Sequence, residues 1–362
     1  MRLNSLRWPL AMLAVAIVAA ACGGASSTSG TPAPSVDVGS GTLTGAGATF
    51  PEPFYTKAFY AYTQKYPNVS VNYQAVGSGA GIQQFTNGTV DFGASDVPMT
   101  ATELQNAGGP DKVVQAPTTL GVVAVSYNLS GVQKLQLDGP TLANIFLGTV
   151  KRWDDPSIKA LNSGASLPSR DITVVHRSDG SGTSYHFTDY LSKVSDTWKT
   201  KVGVGKAVQW PAGIGGKGNE GVATAVKQTD GALGYVELAY VVQTGMAQAY
   251  LKNKAGKYVQ ASVTGATAAA AENKNVSPTS FSITDSPGDT SYPIAGFSWI
   301  ILKKTYTDVP KGKAVAYLFR WLVTDGQQYG KDLQYAPLPK PVQDLALTSL
   351  KTVVAGTSPA LT

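Results

Sequence analysis

Val174–Leu191, VVHRSDGSGTSYHFTDYL, changes its hydrophobic period halfway along. The segment DITVVHRS (Asp171–Ser178) is rich in β-branched apolar residues and reads as a strand. Phe187, Tyr190, Leu191 and Val194 then recur at helical spacing. The turn between holds Arg177, Asp179, Gly180 and Gly182 with the hydroxyls of Ser178, Ser181, Thr183 and Ser184. A strand running through a tight polar turn into a helix is the building unit of an α/β fold. The turn also suits anions, because the first N–H groups of a helix lack intrahelical acceptors and lie at its positive end. Glycine lets the backbone approach a ligand, and Ser or Thr adds a donor. A hydrolase nucleophile loop, a phosphate cradle and a plain polar turn all remain open on this stretch alone.

The design recurs twice upstream, in TGAGATFPEPF (Thr44–Phe54) and YQAVGSGAGIQQF (Tyr73–Phe85). Around these turns, Phe54, Ala58, Phe59 and Tyr62 share a helical face, VSVNYQAV alternates as a strand, and VDFGAS is a further strand. Thr100 with Glu103 predicts a capping box. LGVVAVSYNL, GALGYVEL and FSWIILKK supply later strands, KAVAYLFRWLVTD supplies a helix, and TLANIFLGTVKRWDDP carries Leu142, Ile145 and Phe146 on one helical face and is expected to stop before Pro156. The alternation predicts α/β layers with helices covering largely parallel sheets. ASVTGATAAAAENKNVSPTS is low-complexity, and no internal repeat is evident.

The chain has 362 residues, room for about two domains, with 43% hydrophobic and 14% charged residues, so a sizeable core is available. Arg2 and Arg7 precede the apolar run Trp8–Ala21, which is too short for the ~20 residues of a membrane span and reads as a secretory signal. Cys22 is the only cysteine, so no internal disulfide can form. Small residues before it and glycines after it resemble a lipoprotein signal, although Ala19 stands where Leu or Val is usual. Ordinary cleavage beside an incidental cysteine is the alternative. Residues 22–41 are Gly/Ser/Thr/Pro-rich and read as a flexible tether. Losing the two signal arginines takes the formal charge from +6 to +4, and the densest basic patch, LKNKAGKY, has little aromatic interleaving, which argues against nucleic acid.

Catalytic constellations are poor. Ser78 and Ser181 lack the glycine two residues earlier that a nucleophile elbow needs, and His176 and His186 are the only histidines. His186 is expected to pack or cap locally. Neither histidine spacing nor the lone cysteine makes a zinc site, and no cofactor is expected. GIGGKGNEG lacks P-loop spacing and reads as a structural turn, with Lys217 able to rim a cleft. Asp179 reads as the partner of Arg177, whose planar fork suits tetrahedral oxyanions. Asp96 in FGASDVP is either a turn residue or an acceptor facing the anion. In the second case it favours a ligand that carries a proton, as hydrogen phosphate does near neutral pH and sulfate does not.

LTGAGATFPEPFY, NYQAVGSGAGIQQ, VDFGASDVP, LGTVKRWDDPSI, HRSDGSGTSYHFTDYLSK, WPAGIGGKGNEG, GALGYVE and YAPLP occur in this order from Leu43 to Pro339. Together they resemble the extracytoplasmic phosphate-binding proteins of bacterial phosphate-specific ABC importers. The resemblance implies a two-lobed Venus-flytrap fold (type II) with phosphate between the lobes. Residues 42–116 and 291–362 would form one lobe and 117–290 the other. It further implies donors from Thr49, the Phe50 N–H, Ser78, Ser181, Gly182 and Thr183, charge from Arg177 held by Asp179, and a proton acceptor in Asp96. The implied protein is a monomer, lipid-anchored outside the cytoplasmic membrane, that delivers inorganic phosphate to membrane permease subunits and catalyses nothing. A secreted phosphatase and a phosphate sensor that feeds no transporter are the rivals.

Overall fold

The three turns of the sequence become the ends of three strands, each leading into a helix. The computed structural model describes residues 36–362, so the expected signal 1–21, Cys22 and most of the tether lie outside the described residues. The tether's last residues are pinned. Val38 is buried, Asp37 pairs with Lys313 at 2.7 Å, and the Ser40 N–H donates to the Pro310 carbonyl at 3.3 Å.

The chain first lays down β1 (Gly41–Gly47), α1 (Glu52–Lys65), β2 (Val69–Ala75), α2 (Ser78–Thr86), β3 (Phe92–Ser95) and α3 (Ala101–Asn106). The Thr100–Glu103 capping box forms at the start of α3. A long strand, β4 (Val113–Tyr127), leads away from this lobe. The second lobe holds β5 (Thr173–Arg177), α4 (Gly182–Val194), β6 (Ile214–Gly216), α5 (Gly218–Gln228), β7 (Ala232–Glu237) and α6 (Leu238–Thr244). The chain returns along β8 (Ala295–Lys303) to α7 (Val309–Leu322).

The strand order is β2-β1-β3-β8-β4-β7-β5-β6. Both arms are parallel, β1 with β2 and β3, and β5 with β6 and β7. The centre departs from the parallel expectation, because β8 runs antiparallel to β3 and β4, and β4 antiparallel to β7. Up to Val122, β4 pairs with β8; from Val123 it pairs with β7. One continuous strand thus belongs to both lobes, with β8 entering alongside it: the architecture is the two-lobed type.

Pro117 lies inside β4, where a central strand would normally lose a ladder bond. The register shifts opposite it, between Ser298 and Trp299, leaving Thr118 as the extra residue of a bulge. The Thr118 hydroxyl then reaches the Tyr55 hydroxyl at 2.6 Å and donates to the Ser298 carbonyl at 3.3 Å. The core on either side is aromatic: Phe92 meets Phe319 edge-on at 4.9 Å, and Phe187 stacks on Tyr235 at 4.2 Å.

Candidate anion-binding site

Three helix starts converge where the lobes meet. Thr49 and Phe50 lead into α1, Ser78 is the first residue of α2, and Ser181 caps α4 ahead of Gly182 and Thr183. All six are buried, although most are small or polar.

The hydroxyls have no free choice of role. The Ser78 Oγ accepts from the Asp96 N–H at 3.2 Å and from the Gly182 N–H at 3.1 Å. The Thr183 Oγ1 accepts from Arg177 and from the Asn219 side-chain amide, both at 3.2 Å. The Thr49 Oγ1 accepts from the Asn219 backbone N–H at 3.2 Å and its side-chain amide at 2.8 Å. A hydroxyl has two lone pairs and one hydrogen. With both pairs filled, each of the three has only its O–H left to offer. Ser181 differs: its Oγ accepts the Ser184 N–H at 3.0 Å as the α4 cap. The N–H groups of Phe50, Ser78 and Thr183 meet no protein acceptor among the described residues, as first-turn donors do. The Phe50 ring points away into the core, against His186 and Tyr335.

Arg177 is 3% exposed and grips Asp179 with two bonds, Nε at 2.8 Å and Nη2 at 2.5 Å. Its third bond goes to the Thr183 hydroxyl. A guanidinium has five N–H donors, so two remain. The Asp179 Oδ1 also accepts the Gly218 N–H at 3.0 Å. Burial alone would raise the Asp179 carboxyl, but Arg177 outweighs it and holds it below the usual range. Asp179 is occupied with orienting the arginine.

Asp96 has the opposite environment. It is 1% exposed, and burial pushes its carboxyl up to about 7, against the lowering effects of Ser298, Arg177 and Ser78. The Ser298 hydroxyl donates to its Oδ1 at 2.6 Å, leaving Oδ2 as the acceptor of the site. Oδ2 lies toward Gly182, where a Cβ would come within 2.5 Å of it. A ring of fixed donors with one acceptor matches a tetrahedral oxyanion bearing a single proton.

Neither histidine activates a hydroxyl. His186 lies over Gly296 of β8, and burial lowers its imidazole to about 4, leaving it neutral at pH 7. His176 stacks on Trp210 at 4.8 Å. Among the described residues no cluster of three His, Cys, Asp or Glu could hold a metal. Lys217 is exposed and makes no hydrogen bond into the site. Residue reading missed Asn219, Ser298, Tyr235 and Glu237. Asn219 stands two places beyond Lys217 in the turn read as structural. Tyr235 accepts the Arg177 backbone N–H at 3.0 Å. Glu237, which burial raises well above the carboxylate range, accepts the Ala239 N–H at 2.8 Å.

The lobes are drawn together around this point. The Gly79 N–H donates to the Gly180 carbonyl at 2.8 Å, and the Tyr240 hydroxyl to the Thr49 carbonyl at 2.7 Å. Lys206 and Glu103 pair at 2.5 Å across the rim. Gly182 matters to this closure, since an added Cβ would lie 2.4 Å from the Asp96 Cβ. Gly182→Ala is therefore expected to hold the cleft open and weaken anion binding by about 1–3 kcal/mol, roughly 5- to 150-fold. Titration of the variant beside its ligand-free melting curve checks this; unchanged affinity would refute the contact.

Residues 32–325 match the PBP superfamily domain. Over 317 residues the chain is 45% identical to the phosphate-binding protein PstS of Pasteurella multocida, covering 86% of this chain and 91% of that one. It is 44% identical over 301 residues to the phosphate-binding protein PstS of Xylella fastidiosa, covering 82% and 81%. The fold matches a solved phosphate-binding protein from Stenotrophomonas maltophilia with a TM-score of 0.64 at 22% identity, over 85% of this chain and 94% of the other.

Proposed function

The chain belongs to the PstS family of phosphate-binding proteins within the PBP superfamily, and on that premise we propose that it captures inorganic phosphate outside the cytoplasmic membrane and delivers it to an ABC importer. It carries out no reaction of its own. The observation that carries the ligand reading is the polarity of the cleft: three hydroxyls confined to donating, facing the single free acceptor of Asp96.

In this reading the phosphate oxygens accept from Thr49, Ser78, Ser181 and Thr183 and from the N–H groups of Phe50, Ser78 and Thr183. Gly182, expected as a further donor, gives its N–H to the Ser78 Oγ at 3.1 Å and permits the close approach instead. Arg177 offers its two remaining N–H groups, Asp179 keeps it oriented, and Asp96 accepts the phosphate proton. Charge-assisted bonds contribute about 1.5–3 kcal/mol each, so several of them exceed the ~8 kcal/mol of micromolar binding even after ordering and closure. Because donors come from both lobes, the anion favours the closed arrangement, which a permease can recognise. The lobes are taken as 42–116 with 291–362, and 117–290, hinged where β4 and β8 run side by side.

Acylation of Cys22 behind a cleaved signal 1–21 is the proposed anchor, and it rests on the residue pattern alone. Among the described residues no helix is long and apolar enough to cross a membrane. The protein is taken to act as a monomer, with inorganic phosphate and the permease subunits as its partners.

Calorimetric titration of the mature protein at pH 8 with phosphate and then sulfate tests the function. Micromolar or tighter phosphate binding with sulfate at least ~100-fold weaker is expected. Equal binding of the two ions, or none of phosphate, would sink the reading.

A further inference from the structure

Asn219 stands at the start of α5, buried, with every polar atom of its side chain engaged. Its Oδ1 accepts the Glu237 backbone N–H at 2.9 Å. That donor settles which way the amide points, because an amide nitrogen in that place could not accept it. The Nδ2 group is thereby turned toward the cleft. One of its hydrogens goes to the Thr49 Oγ1 at 2.8 Å and the other to the Thr183 Oγ1 at 3.2 Å.

These two hydroxyls come from opposite lobes, Thr49 ahead of α1 and Thr183 in α4. Each has a second donor already, the Asn219 backbone N–H for Thr49 and Arg177 for Thr183. Asn219 fills the last lone pair on both. Without it, either hydroxyl is free to rotate and to spend its hydrogen elsewhere in the protein.

We propose that Asn219 is a positioning residue that sets the Thr49 and Thr183 hydroxyls as donors to the bound anion and, by joining the two lobes, slows its release. The proposal rests on the phosphate reading above. It accounts for a buried side chain that touches the site hydroxyls from behind and has no other task in the fold than accepting one strand-end N–H. It also explains how a donor-only cleft survives lobe motion. The Thr49 contact is available when the lobes are together, so the final polarity of the site is completed on closure.

The test is a double-mutant cycle on the full mature protein, with inorganic phosphate as the probe and stopped-flow dissociation rates beside calorimetry. Asn219→Ala is expected to weaken phosphate binding ~10- to 100-fold, mostly through faster dissociation. Thr49→Val should cost at least ~10-fold in the wild-type background and under ~3-fold once Asn219 is replaced, because the hydroxyl is no longer preset. A purely structural role would move the ligand-free melting temperature and leave the two losses independent. Should Asn219→Ala fail to fold, Asn219→Asp keeps the acceptor for Glu237 and draws the Thr49 hydroxyl onto its own carboxylate, so the same collapse of the Thr49→Val cost is expected. Independent losses, or Asn219→Ala binding within threefold of wild type, overturn the proposal alone. Wild-type protein that ignores phosphate overturns it together with the functional reading.

Discussion

Replacing Arg177 with Ala is expected to weaken phosphate binding by about 3–5 kcal/mol, roughly 150- to 5,000-fold. Among the described residues the arginine is the one buried cation at the cleft, and its side chain is 1% exposed against 13% for Asp179. Removing it deletes two donors to the anion and one to the Thr183 hydroxyl. It also leaves the Asp179 carboxylate without its bidentate partner, facing a dianion in a site screened from water. The repulsive part should be recoverable. Arg177→Ala combined with Asp179→Asn is expected to bind phosphate more tightly than Arg177→Ala alone. Calorimetry on the three proteins decides it, and a loss below tenfold in the single variant would remove Arg177 from the site.

Asp96→Asn is expected to narrow the phosphate/sulfate gap by ~100-fold or more at pH 8, chiefly by letting sulfate in. An ionised Asp96 accepts the proton of hydrogen phosphate and repels sulfate, which has none to give. The asparagine amide donates to either ion. The pH dependence follows from the carboxyl lying at about 7 in the folded protein and 3.8 ordinarily. Above 7 the wild-type residue is charged and excludes sulfate; below 7 it gains a proton and can donate to it. Sulfate binding by the wild type should therefore strengthen as pH falls from 8 to 6, and by Asp96→Asn it should stay flat.

The same group shapes stability. A folded-state pKa raised above the unfolded one gives a contribution that is full below 3.8 and lost as pH rises through about 7. A rise from 3.8 to about 7 corresponds to ~4 kcal/mol. The ligand-free wild type should lose melting temperature across that window, and Asp96→Asn should lose less. Parallel curves for the two proteins would refute the buried-carboxyl argument.

Much of the fold was legible in residue pattern. The helical face of Phe54, Ala58, Phe59 and Tyr62 is buried in α1, and the Phe187, Tyr190 and Leu191 face is buried in α4. Reading fell short where tertiary context overrode a local rule. LGVVAVSYNL marked only the second half of β4; the strand runs on through Pro117, which is tolerated by the bulge at Thr118. TLANIFLGTVKRWDDP marked a helix but placed its end too late, just before Pro156: the helix stops at Phe146, before Gly148 at φ +71°, and a separate one runs from Pro156 to Leu161. Central antiparallel pairing was also illegible, since period-two patterns carry no strand direction.

Residue types and their spacing by themselves determined the α/β class, three Gly/Ser/Thr turns at helix starts, and an arginine held by an aspartate two residues on. All of these are local, set by backbone geometry within a few residues. The polarity of the site was decided only by the tertiary structure. Ser78 meets Gly182 across 104 residues, Thr49 meets Asn219 across 170, and Asp96 meets Ser298 across 202. Whether a hydroxyl donates or accepts, and whether a carboxyl is charged, depends on which groups surround it and on whether water is excluded. Chain folding alone brings those groups together.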